Sequence, residues 1–240
     1  MRDTLLFLLL ALFHMQALSQ SKSEKWQLFD TQELIAQQEQ SQKRYLPFID
    51  RPTISAGIYE LKAGETDQQQ PHTMDELYFI LSGASDFTVE DETTTVKPGD
   101  VLFVRATLDH KFSNITEDLK ILVWFSGSPR TDHDFDWKKW SAHELTTRTS
   151  SENAWNDFLK VPSLTAGLYQ LPEKLGGDSV LTHQKDEINY VIKGKAKFQV
   201  GEEVIDVYPG SIFWVNAGTG HKFFDLEKDL EVYIMFVNND

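Results

Sequence analysis

Short apolar runs separated by turn residues dominate the chain from residue 54 onward. Residues 54–61, 77–81, 101–104 and 119–125 are rich in Val, Ile, Phe and Tyr and are bounded by Gly, Pro, Asp and Asn. A second set follows at 164–171, 188–192, 212–215 and 230–237. Evenly spaced short strands with turn signals between them predict a sandwich, barrel or jelly roll. Two helix signals interrupt this pattern. Asp30…Glu33 and Ser141…Glu144 have capping-box spacing, and each precedes a leucine, Leu34 or Leu145.

The two strand sets are copies of each other. His72-Thr-Met-Asp-Glu76-Leu-Tyr-Phe-Ile-Leu-Ser-Gly83 recurs 111 residues later as His183-Gln-Lys-Asp-Glu187-Ile-Asn-Tyr-Val-Ile-Lys-Gly194. Pro98-Gly99 returns as Pro209-Gly210, and His110-Lys111-Phe112 as His221-Lys222-Phe223, at the same offset. Upstream, Ser55-Ala56-Gly57-Ile58-Tyr59 pairs with Thr165-Ala166-Gly167-Leu168-Tyr169 at 110. A register kept over so many positions identifies a tandem duplication. The Ser/Gly/Pro-containing stretch from Ser126 to Asp134 reads as the linker, with His133 a solvated linker residue.

Composition narrows the setting. Arg2, the apolar run from Leu5 to Phe13 and the small residues Ala17 and Ser19 form a signal-peptide pattern, too short to span a membrane. The expected layout is a signal at 1–19, a first domain at 20–128 and a second at 129–240, in a secreted or periplasmic protein. There is no cysteine, which excludes disulfides and thiolate metal sites. A net charge of −14 repels phosphate backbones and anionic lipid. Nucleic acid and, after signal cleavage, membrane insertion are therefore not expected. Asn114-Ile115-Thr116 is a glycosylation sequon, relevant only in a eukaryotic source.

Each repeat carries a set of residues suited to a metal. His and Glu lie four residues apart at the entry to an apolar strand, and a second His follows 34 residues after the Glu. On an extended segment the first two side chains share a face. A strand–turn–strand excursion can bring the second His beside them. His72, Glu76 and His110, and likewise His183, Glu187 and His221, then offer three N/O ligands and leave positions open, as catalytic rather than structural sites do. The plainer alternative is a surface pair or a hydrogen-bonded core histidine. Against it, only His, Asp, Glu and Gly are identical among the twelve positions of the 72–83 block. Glycine persists for backbone reasons, and Asp75/Asp186 would hold the strand entry. His and Glu have no such structural reason.

With Glu76…Gly83, Pro98-Gly99…His110 and their second-repeat counterparts, the chain resembles the cupin superfamily, specifically bicupins, and is similar to small bacterial cupin-domain proteins. The resemblance implies an all-β fold of two tandem cupin-type jelly-roll barrels, each preceded by a short helix, with the metal in the lumen. The usual first motif has two histidines, and here each repeat supplies one; Met74 and Lys185, or Gln70 and Leu181, occupy the absent position. The shorter His, Glu, His set resembles that of phosphonate-epoxidising cupins. It implies a divalent metal, Fe(II) first, with Mn(II) and Zn(II) open.

The two pockets are expected to differ. Lys185 would bind a substrate anion or act as a base, unless it extends to the barrel mouth. Tyr78 would donate to a substrate oxygen, unless it is simply a core residue; Asn189 replaces it in the second copy. Arg105 is placed near the mouth as a solvated charge. The expected activity is a non-haem Fe(II) dioxygenase acting on a small oxygenated organic molecule. The rivals are a Zn or Mn isomerase or lyase, a non-catalytic small-ligand binder, and a storage bicupin. A homodimer is compatible with all of these.

Overall fold

A computed structural model describes residues 25–127, 134–147, 154–173 and 179–238. The signal expected at 1–19, His133 and most of the linker lie outside the described residues. The first half contains β1 (Trp26–Asp30), α1 (Thr31–Ser41), β2 (Tyr45–Asp50), β3 (Ile54–Leu61), β4 (Glu76–Ser82) and β5 (Ser85–Val89), then β6 (Glu92–Val96), β7 (Val101–Val104), β8 (His110–Ser113) and β9 (Leu119–Ser126). The second repeats this order with β10 (Trp137–Trp140), α2 (Ala142–Thr147), β11 (Trp155–Lys160), β12 (Leu164–Leu171), β13 (Glu187–Lys193) and β14 (Ala196–Val200), then β15 (Glu203–Val207), β16 (Ser211–Val215), β17 (His221–Phe224) and β18 (Leu230–Val237).

Each repeat closes a six-stranded sheet over a three-stranded one. The first barrel pairs β10-β7-β4-β9-β3-β2 with β6-β5-β8, and the second pairs β1-β16-β13-β18-β12-β11 with β15-β14-β17. The fold is all-β: two tandem jelly-roll barrels, each with a short helix before it. The edge strands are exchanged, which the apolar pattern did not disclose. β1, first in the chain, pairs antiparallel with β16 of the second barrel, Trp26 opposite Val215 and Asp30 opposite Ser211. β10 reciprocates on β7, Trp137 opposite Val104 and Trp140 opposite Val101.

Both helix starts behave as their spacing predicts. Asp30 Oδ1 accepts from the backbone N–H of Gln32 at 2.8 Å and of Glu33 at 3.0 Å. At the second, Ser141 Oγ accepts from Glu144 N–H at 3.2 Å while Glu144 Oε2 accepts from Ser141 N–H at 2.8 Å, a complete capping box. Leu34 and Leu145 are buried.

Alternation along β4 and β13 explains why these strands read as nearly continuous apolar runs. Tyr78 and Ile80 face the first lumen, whereas Leu77 and Phe79 face the second barrel. On β13, Val191 lies in the second lumen, and Ile188 with Tyr190 at the interface. A strand buried on both faces has no polar side to show. The interface core includes Phe79 against Trp124 (ring centroids 4.5 Å apart) and against Tyr233 (5.1 Å). Gly83 and Gly194 end β4 and β13 with φ of +82° each. A Cβ there would stand 2.5 Å from Asp118 O and 2.3 Å from Asp229 O, so the residue identity follows from the backbone.

The repeated aspartates do more than start a strand. Asp75 Oδ1 accepts from Ala106 N–H at 2.8 Å, and its other oxygen accepts from Ser163 Oγ in the β11–β12 turn of the opposite barrel. Asp186 mirrors this, with Ala217 N–H at 2.8 Å and Thr53 Oγ1 of the β2–β3 turn. Each carboxylate next to a triad glutamate thus ties its own barrel to the other one.

Candidate metal centres

The structure gathers each sequence triad at the mouth of a lumen. Ligand-type atoms of His72, Glu76 and His110 lie within 4.8 Å of one another, and so do those of His183, Glu187 and His221. Glu76 and Glu187 open β4 and β13 with their side chains turned inward and almost fully buried. His110 and His221 open β8 and β17 on the facing sheet. His72 and His183 precede the strands, and their carbonyls are held by Thr107 N–H and Gly218 N–H, each at 2.7 Å. Thr107 and Gly218 both take left-handed backbone, with φ of +70° and +77°.

The far sides of His110 and His221 are fixed alike. Nδ1 of His110 donates to Leu108 O at 2.8 Å, and Nδ1 of His221 to Thr219 O at 2.9 Å. A carbonyl only accepts, so the proton sits on Nδ1 and Nε2 faces the glutamate, the orientation a metal ligand needs. Beyond this point the two sites diverge.

In the first barrel the polar groups satisfy one another. His72 Nδ1 is 2.7 Å from Glu76 Oε1, and His110 Nε2 is 3.4 Å from the same atom. The Tyr78 hydroxyl donates to Glu76 Oε2 and stands 2.9 Å from His110 Nε2. Burial alone would raise the Glu76 carboxyl, but hydrogen bonds and charge from His110 and His72 outweigh it and hold the group below its usual range. Burial works against the charged form of His110, yet Glu76 prevails and raises it. Burial and then the Glu76 charge push the Tyr78 phenol well upward, so it remains a donor. The cavity here is about 270 Å³, lined by Tyr45, Tyr59, Gln69 and Phe125 besides the triad strand.

In the second barrel Asn189 stands where Tyr78 stands in the first. Glu187 lies 3.1 Å from His221 Nε2 and 4.0 Å from His183 Nε2, and neither imidazole makes a well-aligned hydrogen bond to it. Burial pushes its carboxyl up to about 8, opposed by a hydrogen bond from the Asn189 amide and assisted by the Asp186 charge. His183 is lowered by burial; His221 is lowered by burial against the pull of the Thr219 carbonyl. Two imidazoles disfavoured as cations by burial and a buried carboxyl with no cationic partner form a donor set that fits a divalent cation, which would supply the positive charge the glutamate lacks. The chamber above is about 520 Å³, walled by Trp155, Tyr169, Phe223, Ile234 and Phe236.

The other expected site residues fall as follows. Lys185 is on the wall of the second chamber, but its ammonium donates to Asn238 Oδ1 rather than to the triad. Met74 packs against the first barrel's core. Gln70 is exposed, and Leu181 forms a bridge with His221 at the mouth. Arg105 is an ion-pair partner of Asp136 at 2.8 Å. The sequon residue Asn114 and its counterpart Asp225 share left-handed backbone, φ +50° and +51°, which accounts for an Asn/Asp pair there. The aromatic walls were not anticipated. Their signal was the repeat itself, since Tyr45/Trp155, Tyr59/Tyr169 and Phe125/Phe236 recur in register.

A pair of jelly rolls with a His, Glu, His set in each lumen defines a two-barrel cupin. The Cupin domain family matches residues 57–125 and 169–238, and the chain belongs to that family. It is 46% identical over 98 residues to an uncharacterized protein of Streptomyces coelicolor, covering 41% of this chain and 93% of that one. Among solved structures it is similar to a cupin 2 conserved barrel domain protein from Leptotrichia buccalis (TM-score 0.69, 15% identity, 90% of this chain and 99% of the other). It is also similar to a salicylate 1,2-dioxygenase from Pseudaminobacter salicylatoxidans (TM-score 0.74, 12% identity, 92% and 86%). At such identities the likeness concerns the fold.

Proposed function

We propose that this bicupin is a metal-dependent enzyme whose working site is the second barrel, and that it is a non-haem Fe(II) dioxygenase acting on a small oxygenated organic substrate. The observation that carries this reading is Glu187: a buried carboxyl raised by desolvation, with no cationic partner, beside two imidazoles at the base of the larger chamber. A bound Fe(II) would supply redox and Lewis-acid chemistry at that point. His183, Glu187 and His221 would hold it through three protein ligands, leaving the chamber side for substrate. Nδ1 of His221, donating to Thr219 O, keeps the ring oriented. The chamber wall is largely apolar, and Lys185, held by Asn238, is a cation on it. The dioxygenase assignment is supported by the structural likeness to salicylate 1,2-dioxygenase and is carried no further than reaction type.

Residues 1–19 are read with this as an export signal, so that the enzyme works outside the cytoplasm; N-terminal sequencing of exported protein starting near residue 20 is the expected result. The activity is tested by anaerobic loading with Fe(II) and oxygen-uptake measurements against phenolic and hydroxy-acid compounds. Uptake that depends on Fe(II) and disappears in Glu187→Gln is expected. Substrate turnover without oxygen uptake, supported by Zn(II) or Mn(II), would replace the dioxygenase with an isomerase or lyase.

A further inference from the structure

Across each six-stranded sheet, the triad glutamate lies in a row of four side chains that face the lumen. In the second barrel the row runs Trp26, Val215, Glu187, Phe236; in the first it runs Trp137, Val104, Glu76, Phe125. The residue types agree at every place. The valine, glutamate and phenylalanine come from the repeat that holds the triad. The tryptophan comes from the leading strand of the other repeat, β1 or β10.

These tryptophans persist where their strands do not. Trp26-Gln-Leu-Phe-Asp30 and Trp137-Lys-Lys-Trp-Ser141 agree only at the first position. An edge strand forms its ladder through the backbone, so pairing alone does not ask for an indole. Trp26 is 3% exposed and packs in the second lumen's core, which includes Val215. Its Nε1 donates to Glu203 Oε1 at 3.2 Å. β1 is the edge of the six-stranded sheet and β15, which carries Glu203, is the edge of the three-stranded one. The indole bond therefore spans the seam of the barrel. The segment is pinned at both ends, by Asn216 N–H on Lys25 O at 2.8 Å and by Thr31 N–H on Gly210 O at 3.0 Å.

We infer that Trp26 is a positioning residue for Glu187 and Trp137 for Glu76, so that each metal centre is a composite of both repeats. Each indole stands two strand spacings, about 10 Å, from its glutamate and acts through the valine between them. Closing the row on that side keeps the buried carboxylate turned toward the two imidazoles, as groups outside the ligand set do in metal sites. Glu76 is also held by Tyr78 and His72, whereas neither imidazole is aligned to Glu187. The second centre therefore depends on its tryptophan more than the first does. The inference deepens the metal-centre reading and rests on it for an affinity measurement, but not for an imidazole one.

The test compares the full chain with Trp26→Phe and Trp137→Phe, which keep an aromatic ring in each lumen. In metal-free protein, imidazole NMR should show His183 and His221 displaced by Trp26→Phe, with His72 and His110 unmoved. Trp137→Phe should do the reverse, with smaller shifts. Glu203→Ala leaves the indole in place and should move the same pair as Trp26→Phe, less strongly. With Zn(II), Trp26→Phe should bind about tenfold more weakly at the second site, and Trp137→Phe should leave that site within about twofold of native. A role in overall stability alone would move neither pair or all four imidazoles alike, and either result would overturn the inference. So would a Trp26→Phe effect confined to His72 and His110. Zn(II) that failed to bind the native chain would end the metal reading, while the imidazole comparison would still decide this one.

Discussion

The two barrels share strands, register and triad, and they differ in how their glutamates are satisfied. In the first, Tyr78, His72 and His110 surround Glu76, and the carboxylate is held below its usual range. In the second, the Asn189 amide stands in place of the phenol, neither imidazole is well aligned to Glu187, and burial pushes it up to about 8. One lumen position separates a self-contained hydrogen-bond cluster from an open acid. A family-wide ligand set is thus not a count of equivalent sites: what surrounds the ligands decides whether a cation adds something they lack.

The comparison is broken most strongly by pH. Glu187 has a raised folded-state value, so the stability it contributes to metal-free protein is full below the unfolded glutamate value, about 4.3. That contribution is lost as pH rises toward about 8. The effect is on the order of a few kcal/mol over that window. Glu76 has the opposite sign: its contribution is present above the unfolded value and lost on acidification. Urea unfolding of metal-free protein from pH 5 to 8 should show a decline that Glu187→Gln flattens and Glu76→Gln does not.

A smaller effect probes where the barrels agree. Asp75→Ala and Asp186→Ala each remove a bond to a backbone N–H and a cross-barrel hydroxyl bond. Each should cost about 2 kcal/mol, and the two costs should match within about 1 kcal/mol. A large inequality would mean that the tie between barrels is not reciprocal. Smaller still, Tyr78→Asn should remake the first site in the image of the second. It should raise that barrel's metal affinity by about tenfold in a competition titration, since one hydrogen bond no longer has to be displaced.

Much of this was legible in the residues before any fold was seen. The repeat offset and the strand spacing led to two jelly rolls; His72 and Glu76 with their copies were identified by persistence through an otherwise drifting block, and His110 and His221 by their common spacing of 34 residues from the glutamate. Asp30 and Ser141 announced the helices through local capping chemistry, which depends only on near neighbours. The exchange of β1 and β10 was not legible. A segment such as Trp26–Asp30 has strand character but no mark of which sheet edge it will complete. The partners of Asp75 and Asp186 were hidden for the same reason, since a hydroxyl in a turn 88 or 133 residues away has no periodicity to reveal it. Tyr78 and Asn189 stood out as a difference, but its direction depended on packing: whether the phenol would reach Glu76 is a matter of distances across the lumen. Lys185 had two open readings, and its bond to Asn238 involves a residue that no motif marks.

The most direct test of the central claim is metal stoichiometry by barrel. Full-length mature protein, loaded anaerobically with Fe(II) and desalted, is analysed for bound metal as native chain, His72→Ala and His183→Ala. The asymmetry described here predicts about one tightly held equivalent in the native chain, retained in His72→Ala and lost in His183→Ala. Two equal equivalents, or one that survives His183→Ala and disappears in His72→Ala, would contradict it.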